Sequence, residues 1–153
     1  MNSSLSAPTL QIRKSQCNSD LNAVISLMRQ LSYPTTVNVM RERMEASETN
    51  PSSCTLVAEL DGEVVGMIAL NQIFSYAKSE KATQVSALIV SEEHRHQGLG
   101  KRLINSAEEW GRAQGSKILF LTSGNRVERA PAHAFYEHIG FEKTGYRFSK
   151  KLK

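Results

Sequence analysis

A mixed β-sheet with helices packed on it is the fold class that this 153-residue chain predicts. Three features carry the expectation. Asp61-Gly62 lies between two β-rich runs and marks a tight hairpin. A strand-like run over 82–90 leads through a glycine turn into a helix-like run, Leu99–Gln114. A short apolar run, KILFLT, lies between that helix and a later one. Early strands that meander and later strands that cross over through helices make an α/β (α+β) fold, one sheet flanked by helices.

The elements follow in order. Thr9–Lys14 alternates through Leu10 and Ile12 and reads as a first strand. Ser19 or Asp20 offers an N-cap for a helix carrying Leu21, Val24, Ile25, Met28 and Leu31 at helical spacing, which stops before Pro34. Thr35 or Thr36 caps a second helix, with Val37, Met40 and Met44 on one face, ending near Asn50-Pro51. Ser53–Leu60 and Glu63–Ile73 are the hairpin arms, and Phe74–Lys81 is a polar loop. Thr83–Val90 is the strand before the glycine turn. Leu99, Leu103, Ile104, Ala107 and Trp110 form a helical stripe that Gly115 closes. KILFLT is bounded and apolar, hence a buried strand, and Ser123-Gly124-Asn125 is a loop. Ala132–His138 is helical, with Pro131 near its first turn and Gly140 at its end. Phe141–Lys150 alternates and reads as a last strand or hairpin.

Composition bounds the function. Residues 1–8 are Ser-rich with Pro8 and read as a flexible leader, and residues 9–153 as one domain. A net charge of +4 suits an anionic ligand but is too small and scattered to argue for nucleic acid. No apolar run approaches the ~20 residues of a membrane span, and the start lacks the basic and apolar regions of a signal peptide. Cys17 and Cys54 form no CxxC and read as free thiols of a reducing cytoplasm. His133 and His138 stand five apart rather than at the i, i+4 spacing of a zinc helix, and His94 and His96 lie on a polar turn, so no metal is expected.

The stretch His94–Lys101, HRHQGLGK, concentrates the chemistry. Gly98 and Gly100 permit positive φ and close approach of the backbone to a ligand. The first N–H groups of the following helix have no intrahelical partner and lie at the positive end of its dipole. A pyrophosphate can be held there by backbone, with Arg95, Lys101 and Arg102 adding charge. The dinucleotide fingerprint is excluded, because its third glycine position holds Leu103, and no P-loop is present.

RHQGLGKRL carries Arg95-x-x-Gly98-x-Gly100 and resembles the acetyl-coenzyme A loop of the GNAT N-acetyltransferase superfamily, Arg/Gln-x-x-Gly-x-Gly/Ala. AHAFYEHIGFEKTGYRFSKKL resembles that superfamily's C-terminal motif, a helix with Phe-Tyr followed by Gly-Phe. The resemblance spans roughly residues 9–152. With LDGEVVGMIAL, the ending is similar to the aminoalkylphosphonate N-acetyltransferases. The resemblance implies the GNAT fold, a mixed central sheet in which a splayed strand pair holds acetyl-CoA. It implies an acetyl-CoA-dependent transfer to a primary amine of a small molecule, by direct attack in a ternary complex.

The resemblance also distributes roles. Leu88, Ile89 and Val90 would run along the cofactor, with the Leu88 or Val90 N–H at the thioester carbonyl as an oxyanion donor. Arg95, His96, Gln97, Gly98, Leu99, Gly100 and Lys101 would form the pyrophosphate loop. Asn125 would meet the pantetheine amides. Tyr136 would return a proton to the leaving thiolate, since a tyrosine near pKa ~10 stays protonated at neutral pH. Arg126 and Arg129 have two readings, 3′-phosphate ligands or solvated charges. The strand QVSALIV carries no carboxylate, which leaves the general base among a water chain, the distant Glu59 and no base at all. Tyr33, Arg41, Arg43, Tyr76, Lys78 and Lys81 would line the acceptor pocket or be surface charges. A homodimer is usual for such domains. Two other functions fit the residues: a protein or peptide N-acetyltransferase, and a non-catalytic acyl-CoA-binding sensor.

Overall fold

The computed structural model describes residues 9–74, 79–124 and 126–152. In chain order it has β1 (Leu10–Lys14), α1 (Cys17–Gln30), α2 (Val37–Thr49), β2 (Ser53–Leu60), β3 (Glu63–Phe74), β4 (Lys81–Val90), α3 (Leu99–Ala113), β5 (Ser116–Leu121) and α4 (Ala130–His138). The strands form one sheet in the order β1-β2-β3-β4-β5. The first four are antiparallel neighbours, and β5 joins β4 in parallel after the crossover through α3. Asp61 (φ 50) and Gly62 (φ 85) turn the β2–β3 hairpin with both central residues left-handed, as a type I′ turn requires.

Two apolar layers sandwich the sheet. On one face α1 and α2 bury Val24, Leu27, Met40 and Met44 against Val57, Met67 and Ile89. On the other, the stripe Leu99, Leu103, Ile104 and Ala107 of α3 packs on Ala58, Ile68, Leu70 and Val85. Both halves of β4 contribute, but a bulge changes their parity. Ala69 pairs with Ala87 and Leu70 with Val85, so Ser86 has no partner on β3. Val85 therefore faces α3 together with Leu88 and Val90, while Ala87 and Ile89 face the α1–α2 layer.

Four expectations need correction. Asp20 does not cap α1. It is buried, and its carboxylate takes both terminal nitrogens of Arg13 at 2.8 and 2.9 Å and the Gln16 N–H at 2.7 Å. The Arg13 guanidinium holds this carboxyl below the usual carboxylate range, against the opposing effect of burial. Val37 is 45% exposed and does not share the buried face of Met40 and Met44. KILFLT is not a fully buried strand: β5 is the sheet's edge, Lys117 is exposed and Ile118 is 44% exposed. Phe141–Lys150 forms no strand. A strand needs a neighbour for its N–H and C=O groups, and this segment meets none among the described residues. The leader 1–8, Tyr76, Lys78 and Asn125 lie outside the described residues.

Candidate functional site

β4 is held on both sides only over its first half. Its pairing with β5 ends at Val85 opposite Leu121, whereas its pairing with β3 continues to Val90. The two parallel strands thus part just where Ser86 bulges, and a bulge both bends its strand and increases twist. Ser86 is tied down instead by its own hydroxyl, which donates to the Ala69 carbonyl at 3.3 Å. Beyond it, main-chain polar groups alternate sides along the strand. The Ser91 N–H donates to the Val65 carbonyl on the β3 side at 2.8 Å. The N–H groups of Leu88 and Val90 therefore point the other way, into the gap. The Val90 carbonyl on that side accepts from Arg95 Nε at 3.2 Å.

The chain then makes a one-turn 3-10 helix, Glu92–His94, and enters α3 through Arg95–Gly98. Two residues here are left-handed, His96 (φ 65) and Gly98 (φ 80). Gly98 was legible as the turn glycine, whereas His96 in that region was not, since only glycine adopts it without cost. Gly100 serves a different purpose from its neighbour. It is helical, and a Cβ on it would meet Phe135 Cζ at 3.1 Å, so its bareness lets α4 settle on the first turn of α3.

The starts of α1, α2 and α3 differ, and α4, which also lacks a side-chain cap, carries Pro131 in its first turn. Carboxylates cover the start of α1, where Gln16 N–H donates to Asp20 and Cys17 N–H to Glu48 Oε1 at 2.6 Å. Thr36 caps α2 by accepting from the Val39 N–H at 3.3 Å. The α3 start has no side-chain cap and no acidic residue in its first turn, and Arg95, Lys101 and Arg102 stand exposed around it. Its N–H groups and dipole are uncompensated, which is the arrangement that binds an anion. His94 adds a buried Nδ1 with no hydrogen-bond partner among the described residues.

α4 closes the third side. Phe135 rests on Gly100, and Tyr136 lies half-buried between Phe135 and Phe141, with ring centroids 5.6 and 5.8 Å away. Ile139 and Phe141 pack against the same apolar cluster as Leu88 and Val90, a cluster that includes Leu99 of α3. Burial pushes the Tyr136 phenol above its ordinary value, and the nearby Arg129 guanidinium pulls it part of the way back. His133 braces α4: its Nε2 is 3.0 Å from Ser123 Oγ, tying the helix to the segment after β5. No group of three metal-binding side chains occurs among the described residues.

Other residues lie apart from this end. Glu59 is paired with Arg13 at 2.9 Å and is not free as a base. Lys81 Nζ donates to the Gln114 carbonyl at 3.4 Å. Arg41 borders an open cleft with Glu45, Glu48 and Cys17, which gives the cleft both signs of charge rather than a basic lining. Tyr33 is 64% exposed. No helix among the described residues is long and apolar enough to cross a membrane.

Known proteins share this fold. The model of the Acetyltransferase (GNAT) family matches residues 23–141. The chain is 30% identical over 126 residues to the aminoalkylphosphonate N-acetyltransferase of Salmonella typhimurium, covering 82% of this chain and 78% of that protein. It is 36% identical over 96 residues to N-acetyltransferase 8 of Homo sapiens, covering 63% of this chain but 41% of the human protein. The chain thus spans about two-fifths of the length of that relative. In fold, it superposes with a TM-score of 0.87 on the aminoglycoside N-acetyltransferase AAC(6')-Iy in complex with CoA, at 18% identity and 97% coverage of both chains.

Proposed function

The chain belongs to the acetyltransferase (GNAT) family, and from that premise we propose that it transfers the acetyl group of acetyl-CoA to the primary amine of a small molecule. The observation that carries the reading is the uncapped start of α3 beside the free edge of β4. These residues fit acetyl-CoA. The N–H groups of Leu99, Gly100 and Lys101, with Arg95 and Lys101 beside them, suit a diphosphate. His96, Gln97 and Gly98 shape that turn. Leu88, Ile89 and Val90 offer an unpaired strand edge to an amide-bearing pantetheine arm. Asn125 is assigned to the same arm on its place after β5. Acetyl-CoA supplies an activated thioester.

The chain's own groups then have two tasks. A free N–H of Leu88 or Val90 donates to the oxygen on which negative charge develops. Tyr136, kept protonated by burial, gives its proton to the departing sulfur as the amine nitrogen takes the acetyl carbon. No carboxylate lies on Ser86–Val90, so the amine enters neutral or loses its proton to water. Acetyltransfer to aminoalkylphosphonates and aminoglycosides by the similar proteins supports a small acceptor. The buried free thiols Cys17 and Cys54 accord with a cytoplasmic protein.

Release of free thiol from acetyl-CoA tests the proposal, using a panel of aminoalkylphosphonates, aminoglycosides, amino acids, polyamines and short peptides. Turnover on one small-molecule class is expected. Turnover on peptides alone would move the acceptor to proteins. A non-catalytic binding module is the second reading, favoured by the missing carboxylate on β4, and calorimetric binding of acetyl-CoA without turnover on any class would establish it.

A further inference from the structure

We propose that the cleft between the first turn of α1 and α2 is a second small-molecule site, which takes a small zwitterion bearing an ammonium and a carboxylate or phosphonate a few atoms apart. The site goes beyond the acetyltransfer proposed above and does not rest on it. The cleft holds about 710 Å³, within the roughly 300–1,000 Å³ usual for ligand pockets. Cys17, Asn18 and Leu21 line it from α1, and Arg41, Glu45 and Glu48 from α2. The last three recur at i, i+4 and i+7, so they stand in one row along one face of α2. The cleft lies on the β1 side of the sheet, away from the parting of β4 and β5. Ser15, which borders it, donates its N–H to the Thr55 carbonyl at 2.9 Å, Thr55 pairs with Ala69, and Ala69 with Ala87. Three strand spacings, roughly 14 Å, thus separate Ser15 from β4.

Of the three charges on the α2 side, one is already engaged. Glu48 accepts the Cys17 N–H at 2.6 Å, at the positive end of the α1 dipole. Arg41 and Glu45 are left. Among the described residues Arg41 donates to the neutral Asn38 Oδ1 at 3.2 Å, and neither Arg41 nor Glu45 makes an ion pair. Arginine placed before its glutamate at i, i+4 is the weaker order for a pair within one helix, which leaves both heads open to a ligand. Both charges act on one point of the cleft: burial pushes the Cys17 thiol up, Glu45 and Glu48 add to the rise, and Arg41 opposes it. The guanidinium fork suits a carboxylate or phosphonate, and the Glu45 carboxylate suits an ammonium. Their Cβ atoms stand about 5–6 Å apart, a span that one small zwitterion bridges. An ion with a single charge would pair one head and leave the opposite head beside it unmatched, so the cleft selects for both charges together.

The test is an amide-resolved NMR titration of the full chain in excess CoA, which supplies no acetyl group. The probes are 2-aminoethylphosphonate and alanine, with ethylphosphonate and ethylamine as single-charge controls. Saturable shifts at the amides of Cys17, Asn18, Leu21, Arg41 and Glu45 are expected from a zwitterion at millimolar concentration, and the tighter of the two names the anionic group. Each control should bind about tenfold more weakly, as the loss of one charge-assisted contact requires. Arg41→Met and Glu45→Gln should each weaken the zwitterion by a similar factor, and Arg41→Lys by less. Both residues are exposed, and a spectrum unchanged away from α2 verifies the fold of each variant. The cleft amides report whether or not CoA binds, so failure here and failure of the acetyltransfer are read separately. No saturable shift at these amides, equal binding of either control, or shifts that survive both Arg41→Met and Glu45→Gln would overturn the proposal. So would shifts confined to the open half of β4 and the glycine turn, which would put the zwitterion at the acetyl-transfer site alone.

Discussion

The first half of β4 is bonded to strands on both sides, and the second half on one. In the closed half Thr83 is fully buried and its hydroxyl lies 2.6 Å from that of Ser116, which also accepts from Gln72. A hydroxyl placed there serves to clamp β4, β3 and β5 together. In the open half the strand keeps its side chains in the two apolar layers but leaves a row of main-chain groups without a strand partner. The core thus ends at the bulge for the backbone and continues past it for the side chains. One strand can therefore be both scaffold and binding edge, because in a strand the side chains and the hydrogen-bonding groups point in perpendicular directions.

Deleting Ser86 would break the comparison most severely. Removing the bulge leaves Val85 and Ala87 in unbroken alternation opposite Leu70 and Ala69, so every side chain keeps its layer while the strand loses the bend at which it parts from β5. The expected outcome is loss of acetyl-CoA binding with a retained cooperative thermal melt, read by calorimetry and circular dichroism. Tyr136→Phe comes next and sharpens it, because it leaves both halves intact. kcat should fall about 10²–10⁴-fold with acetyl-CoA affinity unchanged, and unaltered turnover would sink the acid assignment. The sign of its pH dependence follows from burial. The phenol is raised above its ordinary value of ~10, so the alkaline fall in kcat should begin above that pH and be absent from the variant.

Gly98→Ala strains the turn without touching a neighbour, since nothing stands within 4 Å of a Cβ there and φ is 80. A left-handed alanine costs about 1–2 kcal/mol. Titration should show acetyl-CoA affinity weakened roughly tenfold if binding draws on that geometry. Thr83→Val has the smallest effect on the site. Loss of the buried hydroxyl should cost about 1–3 kcal/mol in denaturant unfolding with affinity and KM unchanged. A Thr83→Val enzyme with altered affinity would show that the two halves of β4 are not independent.

Much of this was legible in the chain. The period of the apolar residues placed α1, α2 and α3, Asp61-Gly62 placed the hairpin, and Gly98 was legible as the left-handed residue before α3. The errors share a cause. Asp20 looked like a cap because a cap is a local feature, whereas its partner Arg13 reaches it across a strand-to-helix turn. The bulge at Ser86 leaves no mark in QVSALIV, since it exists only in register with β3. The partner of His133, Ser123, is set by how α4 lies against the segment after β5, which no local pattern records.

By itself the sequence determined which segments are helix or strand, where the glycine turn lies and which residue types stand at it, because periodicity and turn chemistry act over a few residues. Only the tertiary structure decided where β4 parts from β5, that the uncapped start of α3 lies beside the free edge of β4, and that the alternating last segment finds no strand among the described residues. Those are properties of pairing between distant segments, and a hydrogen bond left open is visible only once every neighbour has been placed.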